Sequence, residues 1–268
     1  AVLLVTLRHF STKQLLVVAN THLFWDPRYP HIKAAQAELA CRAAREFILK
    51  NLEDGEPPPA LVIAGDFNSI PSLQPSFLPL SQAEKLPHPI PPEFARSATY
   101  ELMASGILLP SHPEHPDAFG KRGGEGRGGG AKRGEHPPPS KKQCTPALAS
   151  PLRSGLSLRD AYDGALCDGA LPLSTHADDF AGCIDYIWVS SGEAPPPAEG
   201  SEGSRSLRCA PVEVQQVLGM PYPISSPEEF GKIPDATWPS DHLAIGAQIA
   251  LPRRTCGGEG EGAEQGLE

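Results

Sequence analysis

The stretch Leu61-Val62-Ile63-Ala64-Gly65-Asp66-Phe67-Asn68-Ser69 carries the residue types most readily put to chemical use. Five apolar or small residues after Pro57-Pro58-Pro59 predict a short strand buried on both faces. Residues two apart in extended backbone point the same way. Asp66 and Asn68 should therefore lie side by side at the strand end, with Phe67 turned back into the core. A carboxylate and an amide oxygen so placed suit a hard cation and a phosphate, because Mg²⁺ takes oxygen ligands, keeps several waters and is shared with substrate phosphate. The same residues also read as a strand closed by an Asx-type turn.

Three more stretches bring polar groups to apolar runs. Residues 15–25 end a buried strand with Asn20 and His22, followed by Trp25. Residues 182–189 hold Asp185 within a strand, and Pro239-Ser240-Asp241-His242 leads into an apolar strand over 242–251. Taken singly, each has a structural explanation, such as a satisfied histidine or an ion-paired acid. Together they supply cation ligands, a group to orient water and imidazoles for a phosphate, which is what metal-assisted phosphodiester hydrolysis requires.

The order of NTHLFW, GDFNSIP, GCIDYIW and PSDHLA resembles the endonuclease/exonuclease/phosphatase superfamily. Within it, His22-Leu23-Phe24-Trp25-Asp26-Pro27 followed by Ile32-Lys33 and Gln36 is similar to the branch of carbon-catabolite-repression deadenylases, nocturnin, angel proteins and the 2′,5′-phosphodiesterase. The resemblance covers residues 1–109 and 155–251 and implies an α/β fold: a four-layer α/β/β/α sandwich of two mixed sheets (DNase-I-like), of which this chain holds about the C-terminal half. It implies catalytic roles for Asp66, Asn68, His22, Asp185, Asp241 and His242, substrate contacts at Asn20 and Trp25, and metal ligation by Asp66, Asn68 and Asp241. Asp66 is the implied general base. His242 would contact the phosphate oxygens or relay a proton, and Asp185 would orient His22. The implied cofactor is Mg²⁺, with Mn²⁺ in its place, and the implied partner is RNA, at a poly(A) 3′ end, within an mRNA-decay complex. Relatives usually carry Asn five residues before Phe180, where this chain has Thr175. The superfamily's principal metal-ligating Glu lies on N-terminal strands that would precede Ala1, so the chain reads as a fragment of an active enzyme.

The elements that must position these groups follow from periodicity. Strands at about 2–8 and 14–21, joined by Phe10-Ser11-Thr12-Lys13, should form an antiparallel hairpin. From His31 to about Leu52, Ile32, Ala35, Leu39, Ala43 and Phe47, with Ala40 and Ile48 beside them, recur at helical spacing and predict an amphipathic helix on the sheet. Its other face, Lys33, Glu38, Arg42, Arg45 and Glu46, reads as solvated because the charges are mixed. Ser97 to Gly106 reads as a short helix with a glycine C-cap, and 212–218 as a strand. The folded domain should comprise 1–109 and 155–251. Residues 71–95 look like an insertion, 110–153 a disordered basic insertion, 190–206 a loop insertion and 252–268 a disordered tail.

The 31 Pro and 26 Gly cluster in those intervals. Neither a signal peptide nor a membrane segment is recognisable. Six cysteines without C-x-x-C pairing read as free thiols of an intracellular, most simply cytoplasmic, protein. A formal charge of −9 disfavours sequence-independent binding to long nucleic acid, yet leaves room for a site reading one strand end. Three functions stay open: a 3′→5′ exoribonuclease on poly(A), a hydrolase of 2′,5′-oligoadenylate or a nucleotide phosphate, and a non-catalytic binding scaffold.

Overall fold

In the computed structural model, residues 1–53, 55–73, 95–118, 150–164, 173–177, 180–197, 207–220 and 231–252 are described. Strands β1 (Val2–Arg8) and β2 (Leu15–His22) pair antiparallel across a turn in which Lys13 takes a positive φ and His9 and Gln14 close the backbone. The chain then crosses through α1 (Pro30–Asn51) to β3 (Ala60–Asp66), which returns parallel to β2, as a helical crossover requires. After α2 (Ala98–Ser105), the short strands β4 (Ile107–Leu108) and β5 (Leu152–Arg153) pair with each other. Strand β6 (Leu158–Asp160) joins the main sheet, and β7 (Thr175–His176) and β8 (Ala181–Gly182) form a small ribbon. Strand β9 (Asp185–Ser190) enters the main sheet antiparallel to β3, giving the order β1-β2-β3-β9-β6. Finally β10 (Glu213–Val217) and β11 (Ala247–Ala250) make a separate two-stranded sheet.

Alternation decides the layers. Val17, Ala19, Leu61 and Ile63 face α1 and α2, whereas Leu16, Val62, Ala64 and Ile187 face β10 and β11. A mixed sheet between helices on one face and a second sheet on the other is the expected DNase-I-like arrangement, with three of its four layers among the described residues. Strand β1 is an edge, and its Leu3 is 71% exposed, with Val5 and Leu7 also exposed.

Five expectations need correction. The buried stripe of α1 is Lys33, Ala34, Ala37, Ala40, Cys41, Ala44 and Ile48, while Leu39 is exposed. The helix lies close against the sheet and α2, and small side chains permit that approach where a large residue such as Leu39 does not fit. Lys33, read as solvated, is buried for a reason given below. The strand expected over 242–251 is limited to Ala247–Ala250, so His242 comes from a connecting segment with one bridge, to Thr175. The ends of the expected disordered stretch 110–153 are folded: His112 and His115 are buried, and Leu152–Arg153 pairs with β4. Likewise the interval 190–206 begins with Ser190 in β9 and Ser191 bonded to Ser157. The centres of these intervals, most of 71–95 and nearly all of 252–268 lie outside the described residues.

Candidate active site

Strand register assembles the first three groups. His22 is paired with Asp66 across β2 and β3, and Asp66 with Asp185 across β3 and β9, so the three side chains form one row on one face at a single sheet edge. The segment before β11 adds His242 from the opposing layer. His242 Nδ1 lies 2.8 Å from Asp185 Oδ2, and its Nε2 lies 3.9 Å from Asp66 Oδ2. His22 Nε2 lies 3.4 Å from the same Asp66 oxygen. The His22 side chain is 70% exposed, whereas Asp66 and Asp185 are 16% and 17% exposed. Asp66, Asp185 and His242 can each offer one atom within 4.8 Å of the others, the only such potential metal-ligand group among the described residues.

The sequence places Asp185 against His22, but the structure pairs it with His242. The strand order interposes β3 between β2 and β9, so Asp66 rather than Asp185 faces His22. Phe67 does turn into the core, edge-on to Tyr186. Asn68 adopts φ +50° and closes an Asx turn: its N–H donates to Asp66 Oδ1 at 2.7 Å, and its Nδ2 donates to Asp66 Oδ2 and to the Leu23 carbonyl, both at 3.1 Å. Both readings of this stretch, functional loop and Asx turn, therefore describe the same atoms. Asp241 is exposed and lies outside the ligand group, its carbonyl accepting from Thr175 Oγ1 at 2.7 Å. Asn20 donates to the Ala64 carbonyl at 3.3 Å, and Trp25 is 66% exposed, its ring 6.2 Å from Phe24.

Two supporting residues escaped the sequence reading as parts of the site. Ser174 Oγ accepts from the Ile184 and Asp185 amides at 3.0 and 3.1 Å, while its carbonyl accepts from Leu243 N. Thr175 is buried and ties down the His242 segment. Ser174 and Thr175 thus hold Asp185 and His242 in register. The departure from the resemblance at Thr175 is the sequence signal that marks them.

Burial lifts the Asp66 carboxyl above its ordinary range; the Asn68 amide and both imidazoles oppose this, and the Asp185 charge adds to it. Burial alone would pull His242 down. Its hydrogen bond to Asp185 and the charges of Asp185, Asp66 and Asp241 outweigh that, so its pKa is raised. Two carboxylates and an imidazole without thiolate form a donor set for a hard divalent cation, which would offset the two neighbouring negative charges of Asp66 and Asp185. A cavity of about 560 Å³ lined by Arg159, Val212, Glu213 and Gln215 lies at the other end of β9, away from these groups.

Fold and site together define a DNase-I-like α/β sandwich with an acid–imidazole cluster at one sheet edge. No family model matches the chain. It is 24% identical over 276 residues to the CCR4-Not complex 3′-5′-exoribonuclease subunit Ccr4 of Yarrowia lipolytica, covering 97% of this chain and 29% of that protein. It is 24% identical over 238 residues to 2′,5′-phosphodiesterase 12 of Mus musculus, covering 88% and 26%. Among solved structures it is similar to ANGEL2, a 2′,3′-cyclic phosphatase, in complex with adenosine-2′,3′-vanadate, at TM-score 0.54 and 21% identity, covering 93% of this chain and 61% of that one. These similarities are to proteins of the kind, and to a fold of the kind, that the resemblance to the endonuclease/exonuclease/phosphatase superfamily implies. It spans less than a third of the length of the two curated relatives.

Proposed function

We propose that this chain forms the catalytic edge of a divalent-metal-dependent phosphodiesterase that removes 5′-AMP from the 3′ end of poly(A) RNA. The observation that carries this reading is the row His22, Asp66 and Asp185 with His242 closing over it. Asp66 and Asp185, with Asn68 beside them, would hold Mg²⁺ or Mn²⁺, which when bound supplies charge against the phosphate and lowers the pKa of a coordinated water. Asp66, whose carboxyl burial lifts above its ordinary range, would accept the proton of the attacking water. The water oxygen bonds to phosphorus, the bond to the preceding ribose 3′ oxygen breaks, and that oxygen takes up a proton as the shortened RNA leaves. His242, hydrogen-bonded to Asp185, and His22 across the cleft would face the non-bridging oxygens, where the negative charge grows. Exposed Trp25 lies in the segment that follows His22 and offers a ring for stacking a base.

Similarity to a 3′-5′-exoribonuclease favours the RNA substrate, and that relative's place as a subunit of the CCR4-Not complex supports a part in an mRNA-decay complex. No helix among the described residues is long and apolar enough to cross a membrane. Asp66→Ala should lower Mg²⁺-dependent AMP release from oligo(A) by on the order of a hundred- to thousandfold with unchanged circular dichroism, and His242→Ala should behave alike. Equal hydrolysis by wild type and Asp66→Ala would overturn the assignment. The similarity to a 2′,5′-phosphodiesterase favours a second reading, cleavage of 2′,5′-linked oligoadenylate by the same residues. A preference for that linkage at equal length would replace the first substrate with the second.

A further inference from the structure

Lys33 sits in the first turn of α1 with 3% of its surface exposed, and its Nζ donates to the Asn68 backbone carbonyl at 2.5 Å. One turn on, Gln36 Oε1 accepts from the Phe24 amide at 2.8 Å. The loops that follow β2 and β3, which carry His22 and Asp66 at their roots, are therefore both pinned to α1. Asn68 adopts a left-handed backbone, which Asn tolerates better than most residues with a Cβ, and it anchors Asp66 through two hydrogen bonds. Burying an ammonium is costly, and Met would fill the same volume without that cost. What an alkyl chain lacks is the donor to the Asn68 carbonyl. Burial draws the Lys33 pKa down to about 8 against the pull of the Glu114, Asp26 and Asp66 carboxylates, so the charge is held within an acidic surround behind the site.

We propose that Lys33 is a positioning residue: from α1 its ammonium clamps the Asn68 carbonyl and holds the Asp66–Asn68 turn so that Asp66 stays aimed at the two imidazoles. The effect on turnover rests on the phosphodiesterase reading above, whereas the clamp itself does not.

The test compares wild type, Lys33→Met and Lys33→Arg in the purified protein. Hydrogen–deuterium exchange is followed at residues 67–69 and at the β3 core, residues 61–63, and steady-state hydrolysis of oligo(A) is measured with Mg²⁺. Lys33→Met should speed exchange at 67–69 and leave 61–63 protected. It should lower kcat about ten- to hundredfold with KM within about twofold, since a misaimed group costs turnover rather than binding. Lys33→Arg, which keeps a donor, should recover most of both. Lys33→Gln, a shorter donor, serves in the same comparison if Lys33→Met does not fold. Unchanged exchange at 67–69 in a folded variant, or exchange rising equally across 61–69, overturns the proposal. Local loosening in Lys33→Met alongside hydrolysis that Asp66→Ala leaves unchanged supports the clamp and sinks the phosphodiesterase reading instead.

Discussion

Asp185 is the residue on which the electrostatics of the cleft turn. It meets His242 at 2.8 Å, while its own amide and that of Ile184 donate to Ser174 Oγ. Asp185→Asn removes the charge that holds His242 above its ordinary pKa and leaves burial, which acts in the opposite direction. The His242 ring should then titrate at lower pH by NMR, and an unmoved titration would show that other groups hold the proton. The sign for stability follows: a raised histidine pKa stabilises the fold fully below the unfolded value of about 6.5, and this contribution fades as pH climbs through the folded value. Gly65, immediately before Asp66, has φ +145°, and a Cβ there would lie 1.9 Å from the Thr21 carbonyl oxygen. Gly65→Ala should cost about 3 kcal/mol or more in urea denaturation, because the β2 and β3 backbones must part next to the site. A loss under 1 kcal/mol would mean the strands yield more easily than the geometry implies.

Among the elements, α2 depends on its ends. Ser97 accepts from the Tyr100 amide as N-cap, and Gly106 in the left-handed conformation returns its amide to Leu102. Ser97 Oγ also lies 3.2 Å from Ser69 Oγ, so the cap ties α2 to the segment just beyond Asn68. Ser97→Ala should destabilise the protein by about 1 kcal/mol, measured by chemical denaturation. An unchanged midpoint would mean that Glu114, which accepts from the Ala98 amide, caps the helix sufficiently alone. For α1 the seam of alanines against the sheet and α2 makes the helix a rigid base, and that rigidity is what a clamp from Lys33 and Gln36 needs.

Across the whole molecule, two buried acids set a pH response opposite to that of ordinary surface carboxylates. Desolvation first, and then other charges against opposing hydrogen bonds, push Asp160 up to about 6, and desolvation likewise pushes Glu114 up to about 6. The folded state binds these protons more tightly than the unfolded chain. The stability they contribute is therefore complete below about pH 4 and is lost as pH rises through about 6. Asp160 is 4% exposed, accepts from the Tyr162 amide and lies 3.3 Å from the Tyr100 hydroxyl. Asp160→Asn keeps an acceptor and removes the charge, so its melting temperature should fall less than that of wild type between pH 4 and 7. The difference should be on the order of 2 kcal/mol of stability. Parallel melting curves would show that Asp160 ionises without penalty.

The sequence by itself determined the local units. The β1–β2 hairpin, the extents of α1 and β3 and the glycine cap at Gly106 follow from spacing and residue type, which also single out His22, Asp66, Asn68, Asp185 and His242 as candidates. Local periodicity and turn chemistry act over a few residues and leave their mark there. Only the tertiary structure decided that Asp185 serves His242 rather than His22, because strand order is a long-range outcome that neither segment encodes alone. It also decided that the small-residue face of α1 is buried and that Lys33 goes in with it, since close approach to the sheet favours the alanine seam over the larger apolar residues. The clamp on Asn68 links residues 35 positions apart and exists only once helix and strand have packed.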